Sequence, residues 1–324
     1  MRPVIKLLNL TFLIVLVLLV MVRFAALGRE SQSLEAVVPG DGQLVQAGDL
    51  QILIMAKGPV DGAALLFAHG TAAWSGLWEP TLDAIGDQGY RAIGFDMPPL
   101  GFSVHASEGF FSLAKQAQRI LALVKAMEIK PTMVAHSIGA GPVIEAVMLD
   151  QSAFAGLVVV DGAIGLGQHM DQGALPLPLR PKVFREAAIA LTMTNPWSTG
   201  FFLRRLIHVK EAASDEVISV LHRPLSRQGT TAAYADWLPS LLVAPQDALS
   251  TRAEEYQTLS LPVVYIWGAE DTVTPLEQGK ELLEITPAAE LLTLQGVGHI
   301  PQIEDPSSFM LALEQALGLI ARTD

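Results

Sequence analysis

The sequence predicts an α/β protein: a mostly parallel central sheet flanked by helices, with a helical insertion late in the sheet and an apolar transmembrane helix ahead of it. Two observations predict this. Short apolar runs of strand length alternate along the chain with segments of helical spacing, the pattern of strands joined by crossover helices and buried on both faces. One of these runs, Thr132 to Ala135, stops at Ser137 among small residues and gives way to a helix-compatible run from Pro142 to Leu149. The chain therefore turns sharply from strand to helix, with a hydroxyl at the apex.

The first element is apolar. Leu7 to Val22 is interrupted only by Asn9 and Thr11 and follows the basic residues Arg2 and Lys6. Counted through Arg23, whose long side chain can snorkel, the segment reaches Leu27, close to the ~20 residues that span a bilayer. Residues 1–28 are thus expected to form a single-pass membrane anchor, with the N-terminus inside and the body exported. Ala26-Leu27-Gly28 also fits a signal-peptide cleavage site, which would release a secreted or periplasmic body. Residues 29–43 are polar and read as a linker.

From residue 44 the alternation begins. Strands are expected at 50–56, 63–68, 91–95, 132–135, 157–160, 262–267 and 290–294, and helices at 76–88, 112–128 and 306–320. In the second of these helices Leu113, Ala117, Ile120, Leu121 and Val124 share one face. Between 163 and 260 no buried strand is legible, and Pro176, Pro178, Pro181, Pro196 and Pro224 separate helix-like segments. The expected core is therefore 44–162 with 261–324. Residues 163–260 form a helical cap over the carboxyl ends of the strands.

Composition limits the function. The 324 residues are 51% hydrophobic with a net charge of −12, too apolar for a disordered chain. All four charges in the first 29 residues are basic, so the body is more acidic still and is repelled by phosphate backbones; no nucleic-acid partner is expected. With no cysteine there is no thiolate nucleophile, disulfide or Cys-ligated metal. No metal-ligand spacing, phosphate loop or dinucleotide fingerprint occurs, and neither a metal nor a cofactor is expected.

The chemistry sits at strand ends. A serine hydroxyl needs a base to take its proton, and the base needs a partner to hold its tautomer. His299, in Gly296-Val297-Gly298-His299 after the last strand, is the candidate base. Asp271, in Gly268-Ala269-Glu270-Asp271 after the preceding strand, is the candidate acid. Asp161, which also follows a strand, and Glu270 are its rivals. Sites in such sheets form beyond the carboxyl ends of the strands, and the order Ser, Asp, His fits one known arrangement. His136 is read as structural, because adjacent residues on a tight turn point apart. His69 is read as a loop-shaping residue, and Asp96 as a group that fixes its turn by local hydrogen bonds.

Five motifs in order, His69-Gly70, Asp96 to Ser103, the Ser137 elbow, Gly268 to Asp271 and Gly298-His299, give the chain from about Val45 to Leu319 a specific resemblance to the α/β-hydrolase superfamily. Ala135 stands where the elbow usually has Gly, and Gly139-Ala140 where many relatives have two glycines; neither change removes a reacting group. The resemblance implies an oxyanion hole from the backbone N–H groups of Ile138 and Thr71, with Ala72 as the alternative to Thr71. A serine at the apex argues against haloalkane dehalogenases and epoxide hydrolases, which carry Asp there. The expected function is cleavage of a small apolar ester or related acyl bond through a Ser137–His299–Asp271 triad and an acyl-enzyme. C–C bond hydrolysis, cofactor-free haloperoxidase chemistry and non-catalytic binding are the alternatives on the same fold.

Overall fold

The structure is a computed structural model and describes residues 2–104, 111–166, 175–243 and 248–322, without the side chains of residues 2–13, 15 and 16. An eight-stranded sheet lies at its centre in the order β1-β2-β4-β3-β5-β6-β7-β8. The strands are β1 (Gly42–Ala47), β2 (Leu50–Lys57), β3 (Ala64–Ala68), β4 (Arg91–Phe95), β5 (Thr132–His136), β6 (Gly156–Val160), β7 (Val263–Gly268) and β8 (Glu290–Leu294). β1 and β2 form an antiparallel hairpin, and β2 also runs antiparallel to β4; the remaining neighbours are parallel.

Every residue of β5, β6 and β7 is buried. Their composition explains it: Gly156-Leu157-Val158-Val159-Val160 has no polar side chain to leave in water, and a strand covered on both faces is apolar throughout. The helices doing the covering are α3 (Glu79–Asp87), α4 (Leu113–Ala126), α5 (Ala140–Leu149), α11 (Leu276–Ile285) and α13 (Pro306–Ile320). One core unites α4 and α5 with one face of the sheet through Ile120, Val124, Val143 and Val147. A second unites α3 and α13 with the other face through Leu82, Ile85, Phe309 and Leu313.

Between β6 and β7 the described residues form helices and no strand: α6 (Lys182–Leu191), α7 (Pro196–Leu206), α8 (Asp215–His222), α9 (Thr230–Leu242) and the short α10 (Ala253–Tyr256). Asn195 caps α7 and Ser214 caps α8 by accepting from a first-turn N–H, the usual way to satisfy a helix N-terminus. Buried Arg227 joins the insertion to the loop after β4, donating to the Gly101 carbonyl at 3.2 Å and to the Ser103 carbonyl.

The N-terminal region requires a correction. Residues Arg2–Arg29 form helix α1, and no helix among the described residues is long and apolar enough to cross a membrane. The C-terminal turns of α1 dock on protein. Arg23 donates to Glu186 at 2.7 Å, Arg29 donates to the Thr194 carbonyl at 3.0 Å, and Ala26 is fully buried. The expected anchor is overturned, and the membrane location and the exported body are not carried forward. Residues of the expected linker, 29–43, also touch the insertion. Gln32 bridges to Arg227, Glu30 accepts from the Thr231 N–H at 3.0 Å, and α2 (Leu34–Val37) follows.

Candidate active site

β5 ends at His136, and the chain enters a single 3-10 turn, Ser137–Gly139, before α5. Ser137 has φ 53°, a left-handed conformation that costs a non-glycine residue about 1–3 kcal/mol. The surroundings enforce it. The Ala163 N–H donates to the Ser137 carbonyl at 2.9 Å. A Cβ on Gly139 would lie 2.7 Å from the His69 carbonyl oxygen, so only glycine lets the turn approach β3 this closely.

His299 and Asp271 arrive from the ends of β8 and β7. Asp271 Oδ2 lies 2.8 Å from His299 Nδ1, and His299 Nε2 lies 2.9 Å from Ser137 Oγ. All three residues are buried. An ionised carboxylate only accepts, so Nδ1 carries the ring proton and donates it to Asp271. Nε2 then presents a lone pair to the Ser137 hydroxyl. Burial pushes the Asp271 carboxyl up, but hydrogen bonds from His299, Thr274 and the Val273 N–H together outweigh it and hold the group below its usual value.

Asp161, the rival acid, follows the neighbouring strand β6, and its carboxyl interacts with that of Asp271. Asp161 Oδ1 accepts from the Gly268 N–H at 2.8 Å. Burial, reinforced by the Asp271 charge, raises its carboxyl well above the ordinary range. His69 donates from Nδ1 to the Gly70 carbonyl at 2.9 Å and accepts the Met97 N–H on Nε2 at 3.0 Å. Asp96 accepts from the Ser75 and Phe102 N–H groups, both at 2.7 Å. Both residues shape loops, as their positions suggest.

Two expected oxyanion donors flank the serine. Ile138 is the second residue of the 3-10 turn, where an N–H has no partner within the turn. Thr71 lies in the loop after β3, followed by Ala72 at φ 55°. Each lines a cavity. Thr71, Gly70, His136, Leu203, Leu225 and Ile300 border one of about 440 Å³, and Ile138, Leu100, Phe111, Ile164, Trp237 and Thr274 border another of about 360 Å³.

Three supporting residues have no obvious mark in the sequence. Thr274 donates to Asp271 Oδ2 at 2.7 Å. Its place three residues after an Asp is the available signal, since Asp271 Oδ1 accepts from the Val273 and Thr274 N–H groups in a local turn. Buried Glu304 accepts from the backbone N–H groups of Gly298, Ile300, His208 and Val209 at 2.8–3.0 Å; one carboxylate thus ties the His299 loop to the insertion. His136 donates from Nε2 to the His299 carbonyl at 2.7 Å.

A family model described as alpha/beta hydrolase fold matches residues 63–306, about three quarters of the chain. The chain belongs to the alpha/beta hydrolase fold family. Within it, the 3-oxoadipate enol-lactonase 2 of Acinetobacter baylyi is 24% identical over 275 residues, covering 84% of this chain and 94% of that one. An esterase from Exiguobacterium antarcticum superposes with a TM-score of 0.68 at 17% identity, covering 86% and 99% of the two chains. A membrane phospholipase A, described as a novel bacterial virulence factor, superposes with a TM-score of 0.67 at 17% identity, covering 99% of each chain. Hydrolases recur among these alpha/beta hydrolase relatives, and the chain is an enzyme of hydrolase type. Structural likeness at such identities shows the fold and does not select a substrate.

Proposed function

We propose that the protein is a serine hydrolase that cleaves a small apolar ester or related acyl bond through Ser137, His299 and Asp271. One observation carries the reading: Ser137 Oγ, His299 and Asp271 stand in an unbroken hydrogen-bonded line with links of 2.9 and 2.8 Å. His299 Nε2 takes the hydroxyl proton as Oγ attacks the carbonyl carbon, and the imidazolium that forms is stabilised by the ionised Asp271. The carbonyl oxygen becomes an oxyanion held by the N–H groups of Ile138 and Thr71, each such donor being worth about 3–4 kcal/mol. His299 returns its proton to the leaving oxygen. A water then repeats the sequence on the acyl-enzyme, giving its proton to His299 and releasing Ser137.

The substrate class follows from the walls. Leu203, Leu225 and Ile300 on one side and Leu100, Phe111 and Trp237 on the other favour alkyl or aryl groups on both sides of the scissile bond. Short- and medium-chain 4-nitrophenyl esters test this. Wild-type protein should hydrolyse them, and Ser137→Ala should leave only the background rate. Equal rates for the two proteins would remove the proposal.

A further inference from the structure

The 440 Å³ cavity joins the triad to the insertion. On the catalytic side its wall includes Thr71, with His136 and Ile300, the chain neighbours of Ser137 and His299. On the other side α7 supplies Phe202, Leu203 and Arg205. The wall is largely apolar, and Arg205 is the one Lys, Arg, Asp or Glu among its described residues.

Arg205 is exposed, so a ligand can reach it. Its guanidinium lies over the Phe201 ring, 5.6 Å from the ring centre. Phe201 is four residues earlier on α7, the spacing at which side chains on a helix meet. Contact with the ring engages the face of the guanidinium, while its N–H donors lie along the edge. Other arginines use those donors within the protein. Arg23, Arg119 and Arg185 pair with carboxylates, and the adjacent Arg204 donates to the Ala213 carbonyl at 3.1 Å. Arg205 has no such partner among the described residues. In a chain of net charge −12, which repels anions at long range, an arginine without a carboxylate partner on an apolar cavity is a local exception.

We infer that Arg205 is a specificity-determining residue, which selects esters bearing a carboxylate at the far end of the alkyl chain seated in this cavity. The inference rests on the serine-hydrolase reading and names a substrate class for that site: half-esters of dicarboxylic acids, or esters of ω-hydroxy acids. The methylenes pack on Phe202 and Leu203, and the carboxylate meets the guanidinium. Two coplanar oxygens match the guanidinium fork, and one carboxylate balances its single charge. Without Arg205 the same carboxylate would face an apolar wall, where burying a charge without a partner is unfavourable.

The experiment compares kcat/KM in two series at low ionic strength, where an exposed cation is least screened. The 4-nitrophenyl monoesters of adipic, pimelic and suberic acids are set against 4-nitrophenyl hexanoate, heptanoate and octanoate. The acetates of 6-hydroxyhexanoic and 8-hydroxyoctanoic acids are set against hexyl and octyl acetate. The first series puts the carboxylate on the acyl half and the second on the alcohol half. Wild type should favour the carboxylate member of one series by about tenfold at its best chain length. Arg205→Gln should lose that preference and hydrolyse the methyl-terminated esters within about twofold of wild type, because Arg205 touches none of the triad. Arg204→Gln removes the same charge one residue away, outside the cavity wall, and should keep the preference. Absence of a preference in both wild-type series, its survival in Arg205→Gln, its equal loss in Arg204→Gln, or a parallel loss of both kinds of ester in Arg205→Gln overturns the inference and leaves the hydrolase reading intact. If wild type turns over none of the esters, the hydrolase reading falls, and binding decides the inference. The monoamide of suberic acid and octanamide are then titrated calorimetrically into wild type and Arg205→Gln. The acid should bind wild type about tenfold more tightly than the variant, with octanamide unchanged, and equal or absent binding of the acid would refute the assignment.

Discussion

Glu304→Gln probes how the base is held in place. In the native protein Oε2 accepts from Gly298, His208 and Val209 and Oε1 accepts from Ile300. A glutamine amide has one accepting oxygen. The least damaging orientation puts it at the Oε2 position and turns its NH₂ toward the Ile300 N–H. One buried donor is then orphaned, at about 1–3 kcal/mol, and three charge-assisted bonds become neutral ones. The total loss should be about 2–5 kcal/mol. It falls on the loop that carries His299, so ester turnover should drop as well. Urea unfolding followed by circular dichroism gives the stability change, and 4-nitrophenyl ester hydrolysis gives the turnover. A variant within about 0.5 kcal/mol of wild type with unchanged turnover would show that Glu304 does not brace this loop.

Further outcomes follow from the same contacts. Asp271→Asn should keep the fold and lower kcat by about two to four orders of magnitude, because His299 Nδ1 loses the acceptor that fixes its tautomer. Asp161→Asn should cost less than about tenfold, since the amide keeps an oxygen to accept the Gly268 N–H; steady-state kinetics of the two variants checks both. Gly139→Ala should destabilise the protein by about 1–3 kcal/mol by overpacking, because the new Cβ meets the backbone oxygen of His69 at 2.7 Å; thermal unfolding reads it. His136, neutral in the folded state down to about 3 but titrating from 6.5 when unfolded, gives the unfolded chain a proton the folded one lacks. Its contribution is complete above pH 6.5 and is lost as pH falls toward 3, at about 1.4 kcal/mol per pH unit. His136→Gln should show a shallower decline in denaturant stability between pH 6 and 4 than wild type.

The parallel strands were legible because burial on both faces leaves continuous apolar runs. Arg91–Phe95 and Thr132–His136 fall where those runs lie. β1 was not, because Gly42-Gln43-Leu44-Val45-Gln46-Ala47 is a polar, half-exposed edge strand paired only with β2. Ser137, Asp271 and His299 were legible as chemistry-bearing residues at strand ends, where a parallel sheet gathers its loops. Glu304 was not, since its partners are backbone N–H groups, two of them 95 and 96 residues away, and backbone donors carry no sequence signal. His136 reads as pointing away from the reaction on turn geometry alone; its bond to the His299 carbonyl exists only once the two loops are folded together. The N-terminal apolar run misled for a related reason. Counting residues measures length, and it does not register that Arg23 and Arg29 bind the insertion.

The central claim is that Ser137 is the nucleophile, poised by its 2.9 Å contact with His299. A fluorophosphonate forms a covalent bond only to an activated hydroxyl, so peptide mass spectrometry after labelling addresses the claim directly. The account predicts one adduct on Ser137, strongly reduced in Asp271→Asn and absent in Ser137→Ala. A label on another residue, or labelling that persists in Ser137→Ala, would contradict it.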